Sequence, residues 1–156
     1  MVLYETIRSE IRSGDIIAFE DRGTLFGWLI RTATRGKYAH VALAWVVEGQ
    51  VLLLESRLFG GIKCHRRLST CVEFDWVKTY TDWTPEVAER ALSQLGRPYS
   101  LLNALRQGLR RKPSAYGEDC SLYIANVLKL PRDQATPRGV VSAYVDTGAP
   151  CVNVVV

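Results

Sequence analysis

Between Tyr38 and Val77 the chain crowds together β-type segments, and no other feature limits its fold as much. Tyr38 to Val47, Gln50 to Ser56, Ile62 to Leu68 and Cys71 to Val77 are apolar, partly alternating runs parted by short breaks. Asp15-Ile16-Ile17-Ala18-Phe19 precedes them as a short apolar run that predicts a buried strand. After Val77 the period changes. Thr84-Pro85-Glu86 reads as an N-cap, a proline at the first helical position and an acid in the first turn. Val87, Ala88, Ala91, Leu92 and Leu95 form its apolar face, and Gly96 stops it. Further helices are predicted over Leu101 to Leu109, from Asp119-Cys120 to Leu130, and from Thr136-Pro137 onward. Val152 to Val156 closes the chain as a strand. Strands first and helices later predict an α+β fold, with an antiparallel β-sheet packed against helices.

Upstream of the sheet, Leu3, Ile7 and Ile11 stand at helical spacing ahead of Gly14, so a short amphipathic helix is expected there. A second helix is expected over 24–35, with Thr24 as its cap and Gly36 as its breaker. At about 150 residues per domain, the 156 residues predict one domain spanning 1–156. Hydrophobic residues at 47% and charged residues at 23% exclude wholesale disorder. No apolar run is long enough to span a bilayer, and the first residues mix acids and bases where a signal peptide would be apolar, which predicts a cytoplasmic protein.

The four cysteines, Cys64, Cys71, Cys120 and Cys151, form no C-x-x-C pair. Cys64-His65 with Cys71 is a poor imitation of a zinc site, so neither a metal nor a cofactor is expected. Cys120 differs from the others in standing at the start of a periodic helix, in Glu118-Asp119-Cys120-Ser121-Leu122. A thiol in a first helical turn meets the positive end of the helix dipole and unused N–H groups. Such positions lower cysteine pKa values and favour the reactive thiolate. The same N–H groups suit an oxyanion hole.

A base is available in His40, one of only two histidines. On a strand it shares a face with Ala42 and Ala44, whose small side chains leave room for a helix, while Val41, Leu43, Trp45 and Val47 face the other way. If Glu48-Gly49 is a two-residue hairpin turn, Val47 pairs with Gln50, Ala42 with Glu55 and His40 with Arg57. Glu55 then lies diagonal to His40 on one face and can hold its ring N–H, the orienting role in a nucleophile–base–orienter triad. A three-residue loop would turn Glu55 to the other face, and a pairing with Arg57 or with solvent competes for it.

Taken in order, these segments resemble the circularly permuted, papain-like NlpC-type superfamily, in particular its YiiX/YaeF-like branch. The matching stretches are Gly14 to Phe19, Lys37 to Leu43, Leu53-Leu54-Glu55-Ser56 with Gly60-Gly61-Ile62, Leu95 to Ser100, and Glu118 to Ile124. The resemblance implies a permuted papain-like fold with Cys120 as nucleophile, His40 as general base and Glu55 as third polar residue. It also implies a substrate-binding or oxyanion role for Tyr99, and Tyr38 beside His40 joins it as a substrate-binding candidate. Leu122 stands where unpermuted relatives often carry a small residue.

The resulting expectation is a thiol hydrolase, a peptidase or amidase acting through an acyl-enzyme on peptides or cell-wall peptides. A lipid-directed acyltransferase or thioesterase with the same triad is the alternative. Arg106, Arg110, Arg111 and Lys112, flanked by Leu101, Leu102, Leu105 and Leu109, could rest on an anionic membrane surface, or form an ordinary solvated face. Lys63, Arg66 and Arg67 make a second basic cluster. A non-catalytic binding module with a basic surface is a third reading. A net charge of only +4, and tryptophans set in apolar contexts as core residues are, argue against nucleic acid.

Overall fold

The computed structural model describes residues 1–20, 28, 30–32, 35–57, 60–100 and 119–156, with the side chains of residues 65 and 66 left aside. The helix predicted over 24–35 is seen at 28 and 30–32. The helix predicted over 101–109, and with it the basic segment from Arg106 to Lys112, lies outside the described residues.

The strands are β1 (Val2–Leu3), β2 (Ile16–Phe19), β3 (His40–Val47), β4 (Gln50–Arg57), β5 (Gly61–Arg67), β6 (Glu73–Val77) and β7 (Cys151–Val155), and the helices are α1 (Tyr4–Ile7), α2 (Pro85–Leu92), α3 (Cys120–Leu128) and α4 (Pro137–Val145). Together the strands form one sheet in the order β1-β7-β6-β2-β3-β4-β5. Every neighbouring pair is antiparallel except β1 and β7, which run parallel. The amphipathic helix expected at the start is cut short. Val2 and Leu3 pair with Val154 and Val155, so α1 has four residues and continues only as a 3₁₀ turn at Arg8–Glu10.

The β3–β4 hairpin forms with the two-residue turn. Glu48 (φ 48°) and Gly49 (φ 73°) both take left-handed conformations, the geometry that matches strand twist, and Val47 pairs with Gln50. Both faces of the sheet are covered. Ile16, Ala18, Val41, Leu43, Leu54 and Val77 pack against Val87 and Ala91 of α2, Tyr123, Ile124 and Val127 of α3, and Val140 and Val141 of α4. Ile17, Ala42, Ala44, Leu53, Phe74 and Trp76 pack against Tyr4, Ile7 and Ile11. This corrects one expectation. The cysteine helix lies on the Val41–Leu43 face, and the small Ala42 and Ala44 instead admit the N-terminal segment.

Asp15 fastens the middle of the sheet. Its buried carboxylate accepts from the Trp76 indole (2.9 Å) and from the backbone of Arg12 (2.9 Å) and Thr79 (3.1 Å), which offsets the cost of removing a charge from water. Of the tryptophans, Trp76 is buried and Trp45 and Trp83 are partly so, whereas Trp28 is 54% exposed and is not a core residue. Among the described residues no helix is long and apolar enough to cross a membrane.

Candidate active site

Cys120 is the first residue of α3, and its position follows from a cap. Asp119 is extended (φ −81°, ψ 175°), and its Oδ1 accepts from the backbone N–H groups of Ser121 (2.9 Å) and Leu122 (3.1 Å). Two of the N–H groups expected to serve an oxyanion are therefore already occupied, and among the described residues Cys120's own N–H is the one in the first turn left for a ligand. The far end of the helix closes at Leu128, two residues before the expected Leu130. Lys129 adopts the left-handed conformation (φ 56°) and Pro131 follows. Tyr123 donates to Ala91 O (3.2 Å) and Arg90 Nε to Val127 O (3.0 Å), so α2 braces α3 along its length.

His40 is the first residue of β3 and pairs with Phe19, whose ring stacks on the imidazole at 5.8 Å between centroids and 26° between planes. Glu55, on β4, is wholly buried. With Leu43 opposite Leu54, the alternation places Glu55 on the His40 side of the sheet, and Oε2 of Glu55 stands 2.6 Å from Nε2 of His40. The competing partner is accommodated as well, because Arg57 Nη1 lies 3.6 Å from the other carboxylate oxygen, Oε1.

Cys120 lies within hydrogen-bonding reach of His40. Nε2 is taken by Glu55, so an interaction with the sulfur falls to Nδ1. The contact joins the first residue of a helix to the first residue of a strand, so it is made although α3 packs on the opposite face from Ala42. Burial works against a charged imidazole, but the interactions with Cys120 and with the carboxylate of Glu55 outweigh it and raise the His40 pKa to about 9. Protonated His40 is the state this site favours at neutral pH.

Tyr99 belongs to the same cluster. Its phenol is held above its ordinary pKa by burial first, then by the nearby Cys120 and Asp119, so the hydroxyl keeps its proton. Sequence reasoning missed what delivers Tyr99. Ile62 N donates to Arg97 O (2.9 Å) and Gly96 N to Ile62 O (2.8 Å), laying residues 96–98 along the start of β5. Gly61 (φ +66°) makes that possible, because a Cβ there would run into the Arg97 carbonyl oxygen. The adjacent glycines were the only signal in the sequence.

Tyr38 is engaged elsewhere. Its hydroxyl donates to Asp75 Oδ2 (2.7 Å) and lies 3.9 Å from Cys151 Sγ, while Lys37 and Asn153 hold the same carboxylate. Four of the five candidate residues therefore meet at one place, and Tyr38 is tied to a second network.

These features define an α+β fold in which a helix-capped cysteine meets a histidine backed by a buried acid. No family model matches the chain, and neither does any curated protein. Among solved structures its fold matches that of YiiX from Escherichia coli O157:H7, described as a metalloprotein, with TM-score 0.58 and 18% identity. The match covers 76% of this chain and 65% of that one, so this chain spans less than two thirds of the length of YiiX. The likeness is one of fold.

Proposed function

We propose that this chain is a thiol hydrolase of the YiiX-like, permuted papain-like type, cleaving amide or ester bonds through an acyl-enzyme on Cys120. The observation that carries the reading is the continuous line Cys120–His40–Glu55, ending in a carboxylate with no solvent exposure. The Cys120 thiolate attacks the carbonyl carbon, and the developing oxyanion takes hydrogen bonds from the Cys120 N–H and the Tyr99 hydroxyl. His40 gives its proton to the leaving nitrogen or oxygen as the C–N or C–O bond breaks, leaving a thioester. It then takes a proton from water as the water oxygen attacks that thioester, which releases the acid and restores the thiolate and the imidazolium. Glu55 holds the ring so that the nitrogen turned to sulfur carries the mobile proton.

YiiX is described as a metalloprotein. Among the described residues of this chain no group of three or more His, Cys, Asp or Glu side chains is arranged to hold a metal ion, and His40 and Glu55 are spent on each other. The proposed steps are routed through protein groups alone.

The chain contains its own labelling controls. Cys64 and Cys151 are exposed, Cys71 is buried, and Cys120 is only 4% exposed. Limited iodoacetamide followed by peptide mapping should label Cys120 ahead of the exposed thiols, an order that accessibility alone would reverse. His40→Ala should abolish the preference. Incubation with peptide amides and with acyl esters should then leave an acyl mass on Cys120, and whichever class does so sorts peptidase from lipid-directed chemistry. Labelling of Cys120 no faster than of Cys64 or Cys151, with no acyl adduct from either class, overturns the reading and favours a binding module.

A further inference from the structure

The sheet face turned away from Cys120 carries a polar concavity whose lining includes none of the triad residues. A cleft of about 170 Å³ opens beside the β3–β4 hairpin, lined by Tyr4, Arg8, Gln50, Val51, Arg67 and Ser69. Tyr4 and Val51 belong to the apolar layer opposite the cysteine helix. Arg8 follows α1, whereas Arg67 ends β5 and comes from the second basic cluster of the sequence, so only the fold brings the two guanidinium groups to one cleft.

The cleft differs from an ordinary solvated basic surface in two respects. Arg8 Nη2 donates to Gly49 O at 2.7 Å, which anchors the guanidinium and leaves its remaining N–H groups for a ligand. Among the described residues neither Arg8 nor Arg67 has a carboxylate partner. Tyr4, only 2% exposed, also lines the cleft. Glu5 is the carboxylate whose charge reaches Tyr4, and it stays exposed.

We propose that this cleft is an anion site that takes the phosphate group of a phosphomonoester. Two guanidinium groups supply charge and forked donors, the Tyr4 and Ser69 hydroxyls complete a donor set suited to several oxygens, and Val51 offers an apolar wall to a short stem. The volume would hold several waters, enough for a phosphate with a few attached atoms.

The test is a titration of the intact protein with inorganic phosphate and with glycerol 3-phosphate at fixed ionic strength, followed by amide and guanidinium NMR shifts. Saturable shifts at Arg8, Gly49, Arg67 and Ser69 are expected, with glycerol 3-phosphate the tighter ligand. Arg67→Gln, which breaks no side-chain hydrogen bond or ion pair seen among the described residues, should weaken both on the order of tenfold, the effect of losing one charge-assisted contact. Tyr4→Phe should weaken them by a smaller factor without unfolding the chain. Cosedimentation with phosphatidylcholine vesicles, with and without phosphatidic acid, separates the sources. Retention that needs phosphatidic acid and Arg67 places the phosphate on a lipid, and soluble binding without retention places it on a small molecule. Shifts that grow linearly without saturating, or affinities unchanged in Arg67→Gln and Tyr4→Phe, overturn the proposal.

Discussion

Nε2 of His40 lies 2.6 Å from Oε2 of Glu55, a carboxylate with no solvent exposure. A contact that short between a histidine and a buried acid fixes both the ring's orientation and its proton. Glu55→Gln keeps the shape and a hydrogen-bonding group but removes the charge that helps hold the His40 pKa near 9. The alkaline limb of the activity profile, expected near pH 9 in the parent, should move toward neutrality. Glu55→Ala should lower turnover by roughly 10²–10⁴-fold, the span of positioned acid–base catalysis. A profile of kcat against pH that is the same in parent and Glu55→Gln removes Glu55 from the mechanism.

Stability should carry the same signature. The folded pKa of His40, about 9, exceeds its ordinary 6.5, so the fold favours the protonated ring. Its contribution is complete below about pH 6.5 and is lost as pH rises through about 9. Urea midpoints recorded across that interval should fall more in the parent than in His40→Gln. Parallel curves would show that the histidine's charge plays no part in folding.

At the acid end Asp75 is a buried carboxyl whose shift contributes. Burial pushes its pKa up, but hydrogen bonds from Lys37, Asn153 and Tyr38 prevail and hold it below the usual carboxylate value. Its stabilisation is present above the unfolded pKa and is lost as pH falls through the lower folded one. Asp75→Asn should flatten the acid limb of a stability curve. Tyr38→Phe should lose about 1 kcal/mol, as one hydrogen bond is removed. A raised KM with unchanged stability in Tyr38→Phe would instead put that residue in the substrate site.

Gly61→Ala tests how Tyr99 is delivered. The left-handed backbone penalises a side chain by about 1–2 kcal/mol, and the new Cβ would displace the Arg97 carbonyl. A fall in thermal midpoint should be accompanied by a loss in kcat/KM, because residues 96–98 no longer carry Tyr99 to Cys120. Gly49→Ala, also at positive φ but with open space around it, is the control for backbone strain alone. Equal effects of the two substitutions on kcat/KM would separate Tyr99 from the site.

Much of this architecture is local, and therefore legible along the chain. Glu48-Gly49 is short enough to dictate its own turn, and the turn sets the register that carries Glu55 to the His40 face. Thr84-Pro85 starts α2, Asp119 starts α3, and Lys129 with Pro131 stops it, each through backbone groups a few residues away. Period and capping act over such distances without help from the rest of the chain.

What depended on distant partners was settled only by packing. Leu3, Ile7 and Ile11 have the spacing of one helix, yet Val2 and Leu3 join β7 from the other end of the chain because an edge strand offers unpaired backbone groups. The small Ala42 and Ala44 could have received α3 as readily as α1, and the choice of face rests on the total area each layer buries. No spacing in the sequence announces that Gly61 will lie under Arg97, or that Arg8 and Arg67 will share a cleft. The sequence by itself determined the elements, the hairpin register and the chemically capable residues, since these follow from short-range sterics and hydrogen bonding. The tertiary structure alone decided which faces meet and which charges are neighbours, because that outcome minimises exposed apolar surface over the entire chain.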